Sequence, residues 1–175
     1  ALYGRAELLN ALPPFLTGGS MITRVGLQDA EYMPAPIKFE AGTQRVSQTV
    51  AFAAAVRYLE HVGMSNVQAW EHELGQRLAA GVQQIEGVRL LGPADPARRA
   101  GLVSLAIDGV HPHDVGQLLD TWGIAVRVGH HCAQPLHKLS GVTASTRASA
   151  YLYNTTDDIE AFLAALAKVR PYFGL

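Results

Sequence analysis

The chain has 175 residues, 49% of them hydrophobic and 17% charged, a mixture typical of a globular protein. Its 14 basic and 15 acidic residues give a net charge of -1, which argues against a nucleic-acid-binding surface or attraction to an anionic membrane. No apolar run approaches the ~20 residues that a membrane span needs. Cys132 is the single cysteine, so no intrachain disulfide can form and nothing indicates an oxidising compartment.

The first 40 residues are rich in proline and glycine and show little regular periodicity. Residues 2–4 are typical of the end of a buried strand, and residues 7–12 predict a short helix that two prolines end. Residues 21–39 have no convincing periodicity. Because the chain lacks an initiator methionine and begins as though inside a strand, we interpret it as a fragment. We place a domain boundary after residue 40.

Two successive helices follow this boundary. Residues 46–62 are apolar around much of the helix circumference, which is typical of a helix buried between two layers. Gly63 ends that helix, and Ser65 with Gln68 matches a capping box for the next one. The second helix, which Gly87 closes, carries an amphipathic stripe with spacings of 3, 4, 4, 4 and 3. The stripe consists of Val67, Trp70, Leu74, Leu78, Val82 and Ile85.

The remaining chain predicts a small sheet with helices around it. Strands are expected at residues 88–91, 102–107, 124–128 and 146–149, and a long loop at residues 129–144. A helix begins at His113 or Asp114 and ends at Gly123, and Thr155 caps a last helix. Their inward faces are Val115, Leu118, Leu119 and Trp122, then Ile159, Phe162, Leu163, Leu166 and Val169. This order predicts an α+β domain with a largely antiparallel sheet.

Cys132 lies in the segment that concentrates reactive side chains, residues 127–135 (RVGHHCAQP). His130 and His131 precede the thiol directly, and Arg127 lies five positions upstream. Because the thiolate is the nucleophilic form and nearby positive charge favours it, Cys132 is a candidate nucleophile. The alternative is that it packs as a small buried hydrophobe.

Arg127 and Arg147 are candidate anchors for a carboxylate or phosphate, because the planar guanidinium suits bidentate recognition of such groups. Fifteen positions separate Cys132 from Arg147, enough to bring thiol and guanidinium to one small substrate. The alternative for each arginine is a solvated surface charge.

Two further clusters compete with this interpretation. The histidines at 111, 113, 130 and 131, with Cys132, lack the usual spacings of zinc ligands, so we predict no metal site. The turns at residues 18–20 and at Gly42–Thr43 offer backbone N–H groups and a hydroxyl to a phosphate, the second just before a helix. A plain helix cap is the alternative for that turn.

Taken together, residues 39–43 (FEAGT), 109–114 (GVHPHD), 127–135 and 147–155 (RASAYLYNT) resemble the group II cysteine desulfurases of the Suf and Csd type. The resemblance implies a homodimeric fold-type I pyridoxal-phosphate (PLP) enzyme of the class V aminotransferase group. Residues 1–40 would be a remnant of its PLP-binding large domain. Residues 41–175 would be its C-terminal small domain, which carries the cysteine loop.

The resemblance also assigns roles. Cys132 would take sulfur from L-cysteine as a persulfide and release L-alanine, for iron–sulfur cluster assembly. Arg147 would bind the substrate carboxylate, with Arg127 beside it. Gly42 and Thr43 would contact the PLP phosphate of the other subunit. His113 would face a sulfur-acceptor scaffold or transfer protein of the Suf type, while His130 and His131 would tune the thiol.

The Schiff-base lysine of such enzymes would lie outside this chain, since Lys38 does not occupy the family's lysine motif. Gln44 and Arg45 also replace a common Pro-Asn pair. We therefore expect the fragment to be inactive alone and the whole protein to be cytoplasmic, with neither nucleic acid nor membrane as partner. A selenocysteine lyase of the same group is one alternative function. A stand-alone sulfur carrier or interaction domain is another.

Overall fold

The structure is a computed structural model that describes the backbone of residues 1–175 and every side chain except that of Pro96. The chain packs as two compact units, Ala1–Tyr58 and Leu59–Leu175. The boundary expected after residue 40 concerns the domains of the whole protein and stays a prediction. None of the helices described below is both long and apolar enough to cross a lipid bilayer.

The first unit contains a short helix and a hairpin. Helix α1 spans Ala6–Ala11, and strands β1 (Ile22–Val25) and β2 (Ala30–Tyr32) pair antiparallel. The hairpin was not predicted, because its strands have only three or four residues, too few for a periodic signal. The strand predicted at residues 2–4 is wrong. Leu2 and Tyr3 are 74% and 96% exposed there, and the described residues offer them no neighbouring strand.

Helix α2 spans Val46–Val62, as predicted, but its expected burial is wrong. No residue of α2 is buried, and Val46, Val50 and Phe52 are between 58% and 67% exposed. Apolar residues surround much of the helix, as in helices that are covered on both sides, but none of the described residues covers them. The result is a helix with a large exposed apolar surface.

Gly63 joins α2 to helix α3, which spans Met64–Gln83. The chain turns there through a positive φ of 88°, a conformation that glycine adopts without strain. Gly63 is the N-cap residue of α3, so the predicted capping box of Ser65 and Gln68 is wrong. Asn66 acts instead on the preceding helix, because its side-chain amide donates to the carbonyl of Val62 over 2.8 Å.

The second unit is built on a four-stranded antiparallel sheet. Its strands are β3 (Val88–Leu91), β4 (Leu102–Ile107), β5 (Arg127–Gly129) and β6 (Ser145–Ser149), in the order β3-β4-β6-β5. The helices are α4 (Pro112–Thr121), α5 (Gln134–Leu139), α6 (Thr156–Leu166) and α7 (Val169–Tyr172). Short 3₁₀ turns lie at Ile37–Phe39 in the first unit and Pro96–Arg98 in the second. The predicted α+β fold with a mainly antiparallel sheet is confirmed.

The two faces of this sheet differ in chemistry. One face packs against α3, α4 and α6 in a single core that includes Val103 and Leu105 of β4 and Ala148 of β6. Because side chains alternate along a strand, Ser104 of β4 and Arg147 of β6, which are paired, lie on the opposite face. That second face holds the polar side chains from which a site can be built.

Several element boundaries differ from the predicted ones. Helix α4 begins at Pro112 because the ring nitrogen Nδ1 of His111 accepts the backbone N–H of His113 and caps it. Trp122 was expected to face inward, but it is the C-cap residue and is 39% exposed. The predicted strand at residues 124–128 starts only at Arg127. The loop predicted at residues 129–144 contains α5, which begins at Gln134 and has Pro135 in its first turn, where proline is tolerated.

The predicted cap of α6 is confirmed as a complete capping box. The Thr155 hydroxyl accepts the N–H of Asp158 over 3.3 Å, and the Asp158 carboxylate accepts the N–H of Thr155 over 2.8 Å. Hydrogen bonding from the Thr155 backbone, and then from the Asn154 amide, holds the pKa of Asp158 below its usual value. The carboxylate thus stays ionised at the helix start, where negative charge is favourable.

We expect Thr155→Ala to lower the free energy of unfolding by about 1 kcal/mol, because the substitution leaves a helix N–H without its partner. Urea unfolding of the full-length protein measures the change. Thr143, which is exposed, provides the matched control, and its alanine variant should stay within ~0.5 kcal/mol of wild type. Equal losses in the two variants would show that the capping box contributes nothing.

Candidate active site

Cys132 lies in a tight turn that directly follows β5. The N–H of Ala133 donates to the carbonyl of His130 over 2.8 Å, which closes a four-residue turn. The two central residues, His131 and Cys132, both have positive φ, 52° and 60°. The thiol is exposed, so the alternative of a buried hydrophobe does not hold. The turn presents the sulfur to solvent.

Positive φ at two consecutive residues that are not glycine is costly, by roughly 1–2 kcal/mol each. Such a conformation persists only where its surroundings hold it in place. The residues that follow Cys132 supply part of that restraint. The carbonyl of Ala133 accepts two hydrogen bonds from His137 of α5, one from its backbone N–H over 3.1 Å and one from ring Nδ1 over 3.0 Å.

His137 also connects the turn to the sheet through Ser145. Its Nε2 lies 2.9 Å from the Ser145 hydroxyl oxygen, and the Nε2 of His131 lies 3.1 Å from the same oxygen. Ser145 is fully buried and His137 is 7% exposed. Sequence reasoning missed both residues. Pro135 was the one signal for this helix, because proline is common in the first turn of a helix.

The hydrogen bonds define which ring nitrogens carry protons. The Nδ1 of His137 faces a carbonyl and must donate, so its Nε2 accepts from the Ser145 hydroxyl in the neutral ring. The Ser145 oxygen then accepts from the Nε2–H of His131. His131 is left with a bare Nδ1, which is buried and has no partner among the described residues.

The electrostatic surroundings favour the neutral form of His131. Burial, and after it the charge of Arg147, lowers the pKa of this imidazole, with smaller contributions from His137, Arg127 and His130. A proton on Nδ1 would make the ring positively charged beside Arg147, and that proton would have no hydrogen-bond partner. His131 is therefore a neutral hydrogen-bond donor within the turn.

Arg127 and Arg147 lie directly opposite each other on β5 and β6. Like charges in such a cross-strand pair are destabilising unless an anion joins them. Arg147 is half-buried and its Nε is buried without a hydrogen-bond partner, whereas Arg127 is exposed. Within the described residues, no carboxylate lies at salt-bridge distance from either guanidinium. The pair is suited to a small anion such as a carboxylate.

The other histidines lie apart from this cluster. His113 is exposed in the first turn of α4, where its ring lies 5.3 Å from that of His111 and is tilted by 42° to it. It lines a shallow groove with Gly116 and Val128. His130 is exposed at the start of the turn. Among the residues that the structure describes, no group of three His, Cys, Asp or Glu side chains is arranged to hold a metal ion.

Gly42 and Thr43 belong to the first unit, just before α2. The N–H of Gly42 donates to the carbonyl of Gly19 over 2.9 Å, so the two predicted phosphate turns lie side by side. Gly42 has a φ of 78° with open space around its Cα, and the Thr43 side chain is exposed. A free hydroxyl beside the start of a 17-residue helix fits a phosphate contact.

The sequence matches known proteins over nearly its whole length. The model of the aminotransferase class V family matches residues 1–162. The chain is 50% identical over 173 residues to "Probable cysteine desulfurase 2" of Mycobacterium leprae (strain TN), covering 99% of this chain and 41% of that protein. It is 47% identical over 173 residues to "Probable cysteine desulfurase" of Streptomyces coelicolor, covering 99% of this chain and 41% of the relative.

Solved structures agree with the sequence relatives. The cysteine desulfurase CsdA from Escherichia coli superposes with a TM-score of 0.89 at 33% identity, covering 97% of this chain and 42% of that one. The apo cysteine desulfurase from Thermococcus onnurineus NA1 also gives 0.89, at 37% identity over 99% of this chain and 42% of that one. The predicted resemblance is confirmed, and the chain spans less than half the length of these relatives. The chain belongs to the aminotransferase class V family.

Proposed function

We propose that the protein containing this chain is a PLP-dependent cysteine desulfurase that moves sulfur from L-cysteine to Cys132 and releases L-alanine. The observation that carries the proposal is the exposed thiol of Cys132 on a constrained turn, next in sequence to the strand whose Arg127 faces Arg147. The nucleophile thus follows directly on the short strand that carries one half of the candidate anion site. The relatives named cysteine desulfurases support the assignment.

The first step that this chain would perform is substrate binding. Arg147 is half-buried and has no carboxylate partner among the described residues, and its guanidinium would donate to a substrate carboxylate. Arg127, directly across the sheet, would add a second positive charge and hold the amino acid in one orientation. The carboxylate would in turn relieve the repulsion between the two arginines.

PLP, when bound, would act as the electron sink for cleavage of the carbon–sulfur bond. Thr43 and the backbone at Gly42 would contact the phosphate of the PLP that the other subunit binds. The Schiff-base lysine is proposed to lie outside this chain. Lys38 is already engaged, because its amino group donates to the carbonyls of Asn10 over 2.7 Å and Leu12 over 3.0 Å.

Sulfur transfer would use Cys132 as a thiolate. Its sulfur attacks the sulfur of the bound cysteine, a sulfur–sulfur bond forms and the substrate's carbon–sulfur bond breaks. The electron pair stays on carbon, which takes up a proton and becomes the methyl group of L-alanine. Cys132 then carries the transferred sulfur as a persulfide. His130 and His131, adjacent in sequence, would adjust the polarity around the thiol.

The exposure of Cys132 supports delivery of this sulfur to a second protein, whose thiol can reach the persulfide from solvent. We propose a Suf-type acceptor and iron–sulfur cluster assembly as the destination, with His113 facing that partner. A homodimer is supported by the exposed apolar surface of α2. The cytoplasm is proposed because Cys132 must be a free thiol before it accepts sulfur, and a reducing compartment keeps an exposed thiol in that state.

Product analysis of the full-length protein tests the function. Incubation with L-cysteine and a reductant should release alanine and sulfide in equal amounts, whereas this chain alone should release neither. Release of alanine from L-selenocysteine but not from L-cysteine would favour the selenocysteine lyase alternative. Sulfur uptake from a persulfide donor without any alanine would indicate a stand-alone carrier and contradict the proposal.

A further inference from the structure

We propose that His137 is a positioning residue for Cys132, acting through Ser145 and His131. The inference rests on the proposed function and names a residue that the motif around the thiol does not include. It follows from the hydrogen bonds that reach the Cys132 turn from α5 and β6. His137 itself is buried and does not touch the reacting atoms in this scheme.

The bonds of His137 hold the chain on both sides of the nucleophile. On the C-terminal side, its backbone N–H and its Nδ1 hold the carbonyl of Ala133, the next residue after Cys132. On the N-terminal side, its Nε2 holds the Ser145 hydroxyl, which holds the ring of His131. Cys132 is therefore flanked in sequence by His131 and Ala133, both of which the His137 imidazole holds through hydrogen bonds.

The direction of these bonds makes the arrangement specific to the side chains present. A neutral His137 must donate at Nδ1 and accept at Nε2, and a hydroxyl at residue 145 is needed to donate to one imidazole and accept from the other. Alanine at residue 145 would break the link while keeping the strand. Asparagine at residue 137 would keep the donor to Ala133 and lose the acceptor for Ser145.

The turn needs this restraint because His131 and Cys132 both have positive φ. Without the link, the turn is free to relax toward more populated backbone conformations, and the sulfur moves away from its reacting position. A displacement of about 1 Å at the sulfur lowers the rate of transfer more than it lowers substrate affinity, since Arg147 and Arg127 stay on their strands. The expected signature is a lower kcat at an unchanged KM.

The test uses the full-length protein and four variants. Ser145→Ala and His137→Asn break the link, and each should lower kcat for L-cysteine by about 10- to 100-fold while KM stays within about twofold. Ser145→Thr keeps the hydroxyl and should retain most of the activity. A cavity of about 310 Å³ lined by Ser145 and His137 leaves room for the added methyl group. Ser149→Ala, an exposed position on the same strand, is the matched control.

The outcomes separate this inference from the function on which it rests. Cys132→Ser is measured alongside, and the visible absorbance of bound PLP confirms that each variant is folded. Turnover that depends on Cys132 but is unchanged by Ser145→Ala and His137→Asn would overturn the positioning role alone. A Ser145→Thr variant that is as inactive as Ser145→Ala would also overturn it. Turnover at the wild-type rate in the Cys132→Ser variant would overturn the proposed function, and the positioning role with it.

Discussion

Replacement of Cys132 by alanine is expected to abolish sulfur transfer from L-cysteine in the full-length protein while bound PLP is retained. Alanine has no nucleophilic atom, and removal of a catalytic nucleophile lowers turnover by about three orders of magnitude or more. The side chain is exposed on a surface turn, so its loss removes no buried packing. Alanine release and protein-bound persulfide measure activity, and visible absorbance measures the cofactor.

Gln134 provides a matched control for this variant, because it lies in the same segment and is exposed. Gln134→Ala should leave turnover within about twofold of wild type, as surface substitutions generally do. Persulfide formation at wild-type rate in the Cys132→Ala protein would mean that another residue accepts the sulfur. The role assigned to the turn would then be wrong.

Arg147→Ala is expected to raise the KM for L-cysteine by roughly 100-fold, the equivalent of about 3 kcal/mol. The reason is the loss of charge-assisted hydrogen bonds to the substrate carboxylate. Arg147→Lys should recover only part of this loss, because an ammonium group lacks the planar fork of arginine. Steady-state kinetics at several L-cysteine concentrations measure the change.

Arg77 serves as the control for the arginine series. It is exposed on α3, where it pairs with Glu73 at 2.9 Å, and its alanine variant should leave KM unchanged. Arg127→Ala should raise KM less than Arg147→Ala, because the Arg127 side chain is exposed. An unchanged KM in Arg147→Ala would show that the carboxylate binds elsewhere.

Elements with strong periodicity could be predicted from the sequence, and the surroundings of those elements could not. The stripe on α3 predicted the burial of Val67, Leu74, Leu78 and Val82, because those positions lie on one face of a helix. The apolar residues of α2 fixed its helical bounds and yet gave the wrong burial. Burial depends on which other segments cover a helix, and the residues of the helix alone do not determine that.

The reactive side chains could be predicted from their chemistry, and their arrangement depends on strand register. Arg127 and Arg147 were expected to share a substrate, but only the pairing of β5 with β6 places them directly opposite each other. His137 was missed because a short helix inside a proline-containing loop gives little periodic signal. The roles of Gly42, Thr43 and His113 stay predictions.

The central claim is that Cys132 accepts the sulfur of L-cysteine, and mass spectrometry of the full-length protein tests it most directly. The protein would be treated with one equivalent of L-cysteine, trapped with an alkylating reagent and digested. We predict one added sulfur atom on the peptide that contains Cys132, together with an equal amount of L-alanine. Added sulfur on a different residue, or alanine release with no sulfur on Cys132, would contradict the account.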